Sequence, residues 1–193
     1  MIFSDSDTGG CVMTPETTIS CLCGRCRMVL TGGPILSAEC HCESCRRATD
    51  AMEALPGAPK ERSVEGGVQY VLWRKDRVLR IEGEDLMVGY RLTPSAKTRR
   101  VVATCCNTSM FLEFAAGHWM SLNAARFPAS QRPAMELRTM TSDRKDAPPL
   151  PDDIPNAKTH FGKGFMRRLL VAWIAMGFRN PPVAHDVKEE VHG

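Results

Sequence analysis

Short runs of aliphatic, β-branched and aromatic residues, each bounded by turn-forming residues, fill the chain from residue 18 to residue 114. Runs of this length and make-up predict strands. The first covers residues 18–30. Residues 68–73 and 77–81 follow, and Arg74-Lys75-Asp76 between them reads as a hairpin turn. Residues 86–92, 99–104 and 108–114 continue the series. Strands this short and this closely spaced predict a mainly β fold of antiparallel sheets rather than alternating βαβ units. Between Cys45 and Val68 the pattern loosens around proline and glycine, and only residues 46–55 read as a short helix.

After Phe127 the pattern changes. Residues 128–160 are rich in proline and charge, with Pro148-Pro149-Leu150-Pro151 as the clearest breaker, and read as a long surface crossing. Residues 161–180 then read as an added C-terminal helix, because Phe165, Leu169, Trp173 and Met176 recur at helical spacing. Pro181-Pro182 ends it, since proline cannot continue the hydrogen-bond ladder. The expected organisation is a flexible leader over 1–17, a main domain over 18–127, the crossing over 128–160, the helix over 161–180 and a loose polar tail over 181–193. Residues 169–178 are free of charge, but a membrane span needs about 20 such residues. The helix is therefore expected to pack on the β domain or on a second copy of the chain, giving a homo-oligomer.

Composition narrows the function. With 25 Lys and Arg against 22 Asp and Glu, the 193-residue chain carries a net charge of only +3. It has no basic block and few aromatic residues, so neither phosphate tracking nor base stacking is expected, and nucleic acid is not a partner. The first 20 residues carry Asp5 and Asp7 and no apolar core of a signal peptide, which predicts a cytoplasmic protein. In a reducing compartment, cysteines serve as metal ligands or reactive thiols rather than disulfides.

Nine cysteines are present, and six form two copies of Cys-x-Cys-x-x-Cys: Cys21, Cys23 and Cys26, then Cys40, Cys42 and Cys45. Cys105 and Cys106 sit together further on, and Cys11 reads as a free thiol. Such spacing brings several sulfurs to one ion, and zinc holds thiolates strongly. Iron–sulfur clusters use looser spacing than Cys-x-Cys. The second triplet offers three donors. His41 lies between two of them on extended backbone and should point away, which leaves a fourth position open to an incoming thiol. In the first triplet, Cys21 and Cys23 are expected on one face of a strand, and Cys26, Cys105 and Cys106 are the candidates to complete their site. Neighbouring strand residues face opposite ways, so one of Cys105 and Cys106 is expected to ligate. His118, His160, His185 and His192 have no ligand spacing and read as satisfied or exposed. Lys97, Arg99 and Arg100 read as a strand edge facing water.

Cys21-Leu22-Cys23-Gly24, then Cys40-His41-Cys42-Glu43-Ser44-Cys45-Arg46-Arg47, then the stretch from Arg99 through Cys105-Cys106-Asn107 to Met110 together resemble the glutathione-dependent formaldehyde-activating enzyme family, the CENP-V/GFA domain. The resemblance covers roughly residues 18–125. It implies a β-tent, antiparallel sheets around zinc, and a carbon–sulfur lyase that joins a glutathione-like thiol to formaldehyde or another small aldehyde. It makes Cys40, Cys42 and Cys45 the catalytic zinc ligands and Cys21 and Cys23 half of a structural zinc site. The family's other half is Cys-x-x-Cys-Gly, but here Ala103 stands at its first cysteine and Asn107 at its glycine, so that site is expected to be altered or incomplete. Arg46 and Arg47 are candidates to hold glutathione carboxylates, and Glu43 and His41 to protonate the alkoxide. The alternative is a non-catalytic zinc scaffold or interaction module.

Overall fold

A computed structural model describes residues 15–145, 147–160, 162–184 and 187–191; the leader with Cys11, as well as His185 and His192, falls outside them, apart from Pro15 to Thr17. Among the described residues the architecture is mainly β, with two sheets and two α-helices.

The smaller sheet is antiparallel and has the order β1 (Glu16–Ser20), β2 (Arg27–Thr31), β5 (Val78–Glu82). Residues 18–30 are thus not one strand. Cys21 N–H donates to the Cys26 carbonyl at 3.0 Å, and Gly24 takes φ +76°, so the chain reverses between β1 and β2. The first cysteine triplet lies on that turn. Gly83, after β5, closes against it. Its φ is +72°, and a Cβ there would stand 2.6 Å from the Arg25 carbonyl oxygen. Gly83→Ala is expected to lower stability by about 1–2 kcal/mol from left-handed strain alone, read as a shift of the urea midpoint with unchanged slope.

The larger sheet has eight strands in the order β10, β3, β4, β9, β8, β7, β6, β11. They are β3 (Leu36–Cys40), β4 (Val68–Arg74), β6 (Met87–Arg91), β7 (Thr98–Ala103), β8 (Thr108–Phe114), β9 (Trp119–Asn123), β10 (Leu137–Thr139) and β11 (Lys188–Val191). Its inner pairs are antiparallel, as expected, but the edge strands β10 and β11 run parallel to β3 and β6. Both edges come from the chain beyond Phe127, so the proline-rich crossing also contributes sheet. The turn at 74–76 does not form a hairpin either. β4 stays in the larger sheet and β5 joins the smaller one. Lys75 is buried at the crossover, with Nζ 2.7 Å from Glu113 Oε1.

Strand β4 shows how the layers stack. Val71 and Trp73 face one core, with Ile19, Met28 and Leu30 of the small sheet and Phe111 and Leu122 of the large one. Val68, Tyr70 and Leu72 face the other way, toward Leu169 and Ala172. That alternation is the two-residue period of a strand covered on both faces. Leu169 and Ala172 belong to helix α2 (Lys163–Ala175), which therefore docks on the β domain. Its outer side leaves Leu170, Val171 and Ile174 more than half exposed, as is Phe178 just beyond its end. Helix α1 (Glu43–Glu53) buries Cys45, Ala48, Thr49 and Met52, the i, i+3, i+4, i+7 stripe of an amphipathic helix.

Candidate metal centres and the cavity beside one of them

The turn between β1 and β2 meets the turn between β7 and β8. Their contact gathers Cys21, Cys23, Cys105 and Cys106, whose sulfurs all lie within 4.8 Å of one another. Individual separations are 3.6 Å for Cys21–Cys23, 3.8 Å for Cys21–Cys105, 3.4 Å for Cys23–Cys105 and 3.9 Å for Cys105–Cys106. Four sulfurs at about 2.3 Å around a tetrahedral ion stand about 3.8 Å apart, so the donor set fits one ion. Cys105 and Cys106 both point inward because they lie in a turn rather than on a strand. Asn107 next to them has φ +48°, a left-handed conformation that asparagine tolerates better than most residues. Ala103 ends β7, fully buried opposite Thr108, and the sulfur brought into the group is that of Cys105 two residues on. Cys26 stands beside the group, its thiol 3.8 Å from Cys105 and donating to the Gly83 carbonyl, and burial pushes its pKa up to about 11. Exposed Cys23 is drawn down to about 6 by the backbone N–H and then the guanidinium of Arg25. Burial raises Cys21 most, but the hydrogen bonds from the Cys26 backbone N–H, Cys106 and Cys105 together outweigh it, and the net shift is downward.

The second triplet sits where β3 passes into α1. Cys40 is the last residue of β3, pinned between Val68 of β4 and Thr139 of β10. Cys42 is the N-cap of α1, its sulfur accepting from Cys45 N–H at 3.3 Å, and Cys45 lies in the first turn. The Cys40 thiol donates to Cys42 at 3.4 Å. Hydrogen bonds from Cys40 and Cys45 hold Cys42 well below the usual thiol range, while the same pairing raises Cys40. A helix N-terminus adds to this bias by favouring negative charge. For Cys45, the Cys40 hydrogen bond lowers the pKa, but the Cys42 contact and burial bring it to about 11. Cys40 and Cys42, with a ring nitrogen of His160, lie within 4.8 Å of one another, whereas Cys45, the third donor expected from the sequence, stands next to them but outside that group.

His41 points away from the sulfurs, as its place between two ligands predicted. It is fully buried, with Nε2 3.5 Å from Glu39 and Nδ1 3.3 Å from Arg144, and burial followed by Arg144 lowers its pKa to about 4. Beneath it Glu39 is paired with Arg138 at 3.3 Å, and Arg138 with Asp153 at 2.8 Å. Glu43 is exposed and faces Arg47 at 3.9 Å along the helix. Arg46 donates to the Asp143 carbonyl at 2.8 Å. None of His41, Glu43, Arg46 and Arg47 lines the cavity onto which the triplet opens.

That cavity has a volume of about 440 Å³. Cys40, Cys42, Ser44 and Cys45 form its base. Tyr70, Leu72, Leu112, Phe114 and Trp119 form sheet walls, and Phe165, Met166 and Leu169 of α2 close it. Two polar groups in the lining were read otherwise from the sequence. Arg100 was expected to face water at a strand edge, yet it is 3 % exposed, because β7 is an inner strand between β6 and β8. It donates to the Ser44 carbonyl at 3.2 Å, while Nε and Nη1 have no hydrogen-bond partner among the described residues. His160 was expected to be satisfied or exposed, yet a ring nitrogen lies within 4.8 Å of the Cys40 and Cys42 sulfurs. Nothing in its local sequence signals this, since the contact spans more than a hundred residues. His118 is the satisfied core histidine expected, its Nε2 2.9 Å from the Leu169 carbonyl and its ring stacked on Trp173.

One thiol group bridging the two sheets and another facing a cavity put this β protein in the class whose cysteines could hold metal. A family model described as glutathione-dependent formaldehyde-activating enzyme matches residues 16–141, and the chain belongs to that family. A search of curated proteins found no match. Among the described residues no helix is long and apolar enough to cross a membrane.

Proposed function

We propose that the protein is a zinc-dependent carbon–sulfur lyase that joins a glutathione-like thiol to a small aldehyde such as formaldehyde. The observation that carries this reading is the opening of the Cys40, Cys42 and Cys45 sulfurs onto a cavity. By contrast, Cys21, Cys23, Cys105 and Cys106 supply four donors, which suits a closed structural site. Zinc bound by the three thiolates would lower the pKa of an added thiol and supply its thiolate near neutral pH. The thiolate attacks the aldehyde carbon, a carbon–sulfur bond forms, and the carbonyl π pair moves to oxygen, which takes a proton to give the S-hydroxymethyl product.

The surroundings support each demand of that reaction. The free Nε and Nη1 of Arg100 face the need for a donor to an anionic oxygen, either a carboxylate or the developing alkoxide. The phenol of Tyr70 and the hydroxyls of Ser44, Thr98, Ser121 and Thr139 are the oxygen donors of the lining nearest in kind to a proton source for that alkoxide. Apolar walls exclude water from the adduct. The exposed apolar residues on the outer side of α2 support self-association through that helix. The clustered cysteines are free thiols, a state that suits the reducing cytoplasm.

The test is metal content and thiol response together. Two zinc ions per chain are expected, one of them changing its ligand field on addition of glutathione, with S-hydroxymethylglutathione appearing in proton NMR once formaldehyde is added. Two tightly held ions, both indifferent to glutathione and with no product formed, would favour the scaffold reading instead.

A further inference from the structure

We propose that His160 is a fourth, displaceable donor to the Cys40–Cys42–Cys45 metal centre, so that the resting site is closed by the protein's own imidazole and opens when a substrate thiol takes its place. The inference rests on the reading that this triplet holds a metal ion. Its first support is geometric: one ring nitrogen of His160 and the sulfurs of Cys40 and Cys42 all lie within 4.8 Å of one another. Its second support is the way the chain delivers that ring. β10 runs parallel to β3 and ends with Thr139 opposite Cys40. The crossing then returns on the far side of β10, where Asn156 bridges Arg138 in parallel. Ala157 N–H donates to the Arg138 carbonyl at 2.8 Å, Thr141 N–H donates to the Ala157 carbonyl at 3.2 Å, and Ser142 Oγ donates to the Lys158 carbonyl at 2.8 Å. Two parallel steps therefore bring residue 160 to the same end of the sheet as Cys40. His160 also lies beyond residues 16–141, so the family match does not account for it.

The chemistry makes the imidazole the donor that yields. Three thiolates are fixed by a strand end and a helix start, whereas His160 is held by a return segment through a few hydrogen bonds. A neutral ring nitrogen is a weaker donor to zinc than a thiolate. A thiol that displaced the ring would lose its proton to solvent and supply its sulfur as the donor, and the ring would turn into the cavity it already lines. The exchange adds one negative charge to the centre. The buried guanidinium of Arg100, whose Nε and Nη1 are unpartnered among the described residues, is in the same cavity to offset it. Resting closure would keep adventitious metabolites off the metal, and substrate would have to compete with the ring.

Cobalt substitution of the full chain tests this. Absorption of the second centre is isolated by subtracting the spectrum of cobalt-loaded Cys42→Ser protein. The wild type is expected to show three-sulfur, one-nitrogen bands, which gain sulfur-to-cobalt charge transfer on titration with glutathione. His160→Ala should alter the resting bands before any thiol is added. It should also tighten the glutathione titration by about tenfold or more, the factor by which nine-tenths occupancy of the site by the ring would weaken it. His160→Asn, which keeps a polar side chain, should behave as His160→Ala does. Unchanged resting bands and an unchanged titration in both variants would overturn the proposal while leaving the metal reading standing. Uptake of one cobalt per chain instead of two, with nothing left after subtraction, would overturn both. The predicted His160 effects in a protein that makes no product from formaldehyde would uphold the proposal and remove the lyase reading alone.

Discussion

Cys42→Ser is expected to remove turnover of glutathione and formaldehyde while leaving the sheets folded. Cys42 has two tasks, and serine can take over only one of them. It caps α1 by accepting the Cys45 N–H at 3.3 Å, and serine is among the preferred N-caps. The helix start should therefore survive, and the melting temperature should stay within about 2 °C of wild type. The second task is to stand as a thiolate among Cys40 and Cys45, a state favoured by hydrogen bonds from both. A hydroxyl neither ionises near neutral pH nor matches the softness of sulfur, so the ion would lose a third of its protein thiolates. Changing partners that merely orient metal ligands costs about 10–100-fold in affinity or activity, and losing a direct donor should cost at least about 100-fold. Steady-state NMR assay beside a thermal melt checks both halves. Unchanged turnover would sink the assignment of this triplet to catalysis.

Cys23→Ser should do the reverse, lowering stability far more than its position alone would allow. Cys23 is exposed, and exposed substitutions away from special features change stability by about 0.5 kcal/mol or less. Its sulfur, however, lies 3.6 Å from Cys21 and 3.4 Å from Cys105. The Cys105 contact joins a turn of the small sheet to a turn of the large one across more than eighty residues. Structural zinc sites contribute about 10–16 kcal/mol in isolated peptides. Removal of one donor in four should then cost on the order of 3 kcal/mol, a drop of roughly 6–12 °C in melting temperature for a chain of this size. A chelator strong enough to strip the wild-type protein should lower its melting temperature at least as far, since it removes the whole contribution of the ion rather than one donor. If Cys23→Ser melts with the wild type while Cys42→Ser unfolds, the two triplets have exchanged roles.

Much of this was legible in the sequence, for reasons particular to each part. The apolar runs at β4, β7 and β8 mark inner strands, where both faces are covered and the pattern is dense. The stripe through Phe165 and Leu169 marks α2 in the same way, and the Cys40-His41-Cys42 spacing placed the histidine correctly off the sulfurs. β3 left no such mark. Its sequence, Leu-Ser-Ala-Glu-Cys, sets Ser37 and Glu39 on a face that looks solvated but is fully buried against Arg138 and its crossing segment. The hairpin expected at 74–76 failed because strand periodicity carries no information about which sheet a strand will join. Cys105 and Cys106 defied the alternation rule because they lie in a turn, where that rule does not operate. Arg100 and His160 depend on contacts that only the folded chain creates. For Arg100 the one available sign was its place in a run with buried neighbours, Val101 and Val102.

The parallel edge formed by β10 and the docking of α2 divide responsibilities along the chain. All the sulfur donors lie before residue 107, whereas His160, Phe165, Met166 and Leu169 come after the family match ends. On the proposed reading, the thiolates and the α2 side of the cavity are thus written in separate stretches of sequence. Drift or recombination in the last third can redraw which molecules are admitted without disturbing a single thiolate, so relatives with identical cysteines need not share a substrate. Sorting such proteins by their cysteines groups them by chemistry; sorting them by the chain beyond β10 should group them by diet.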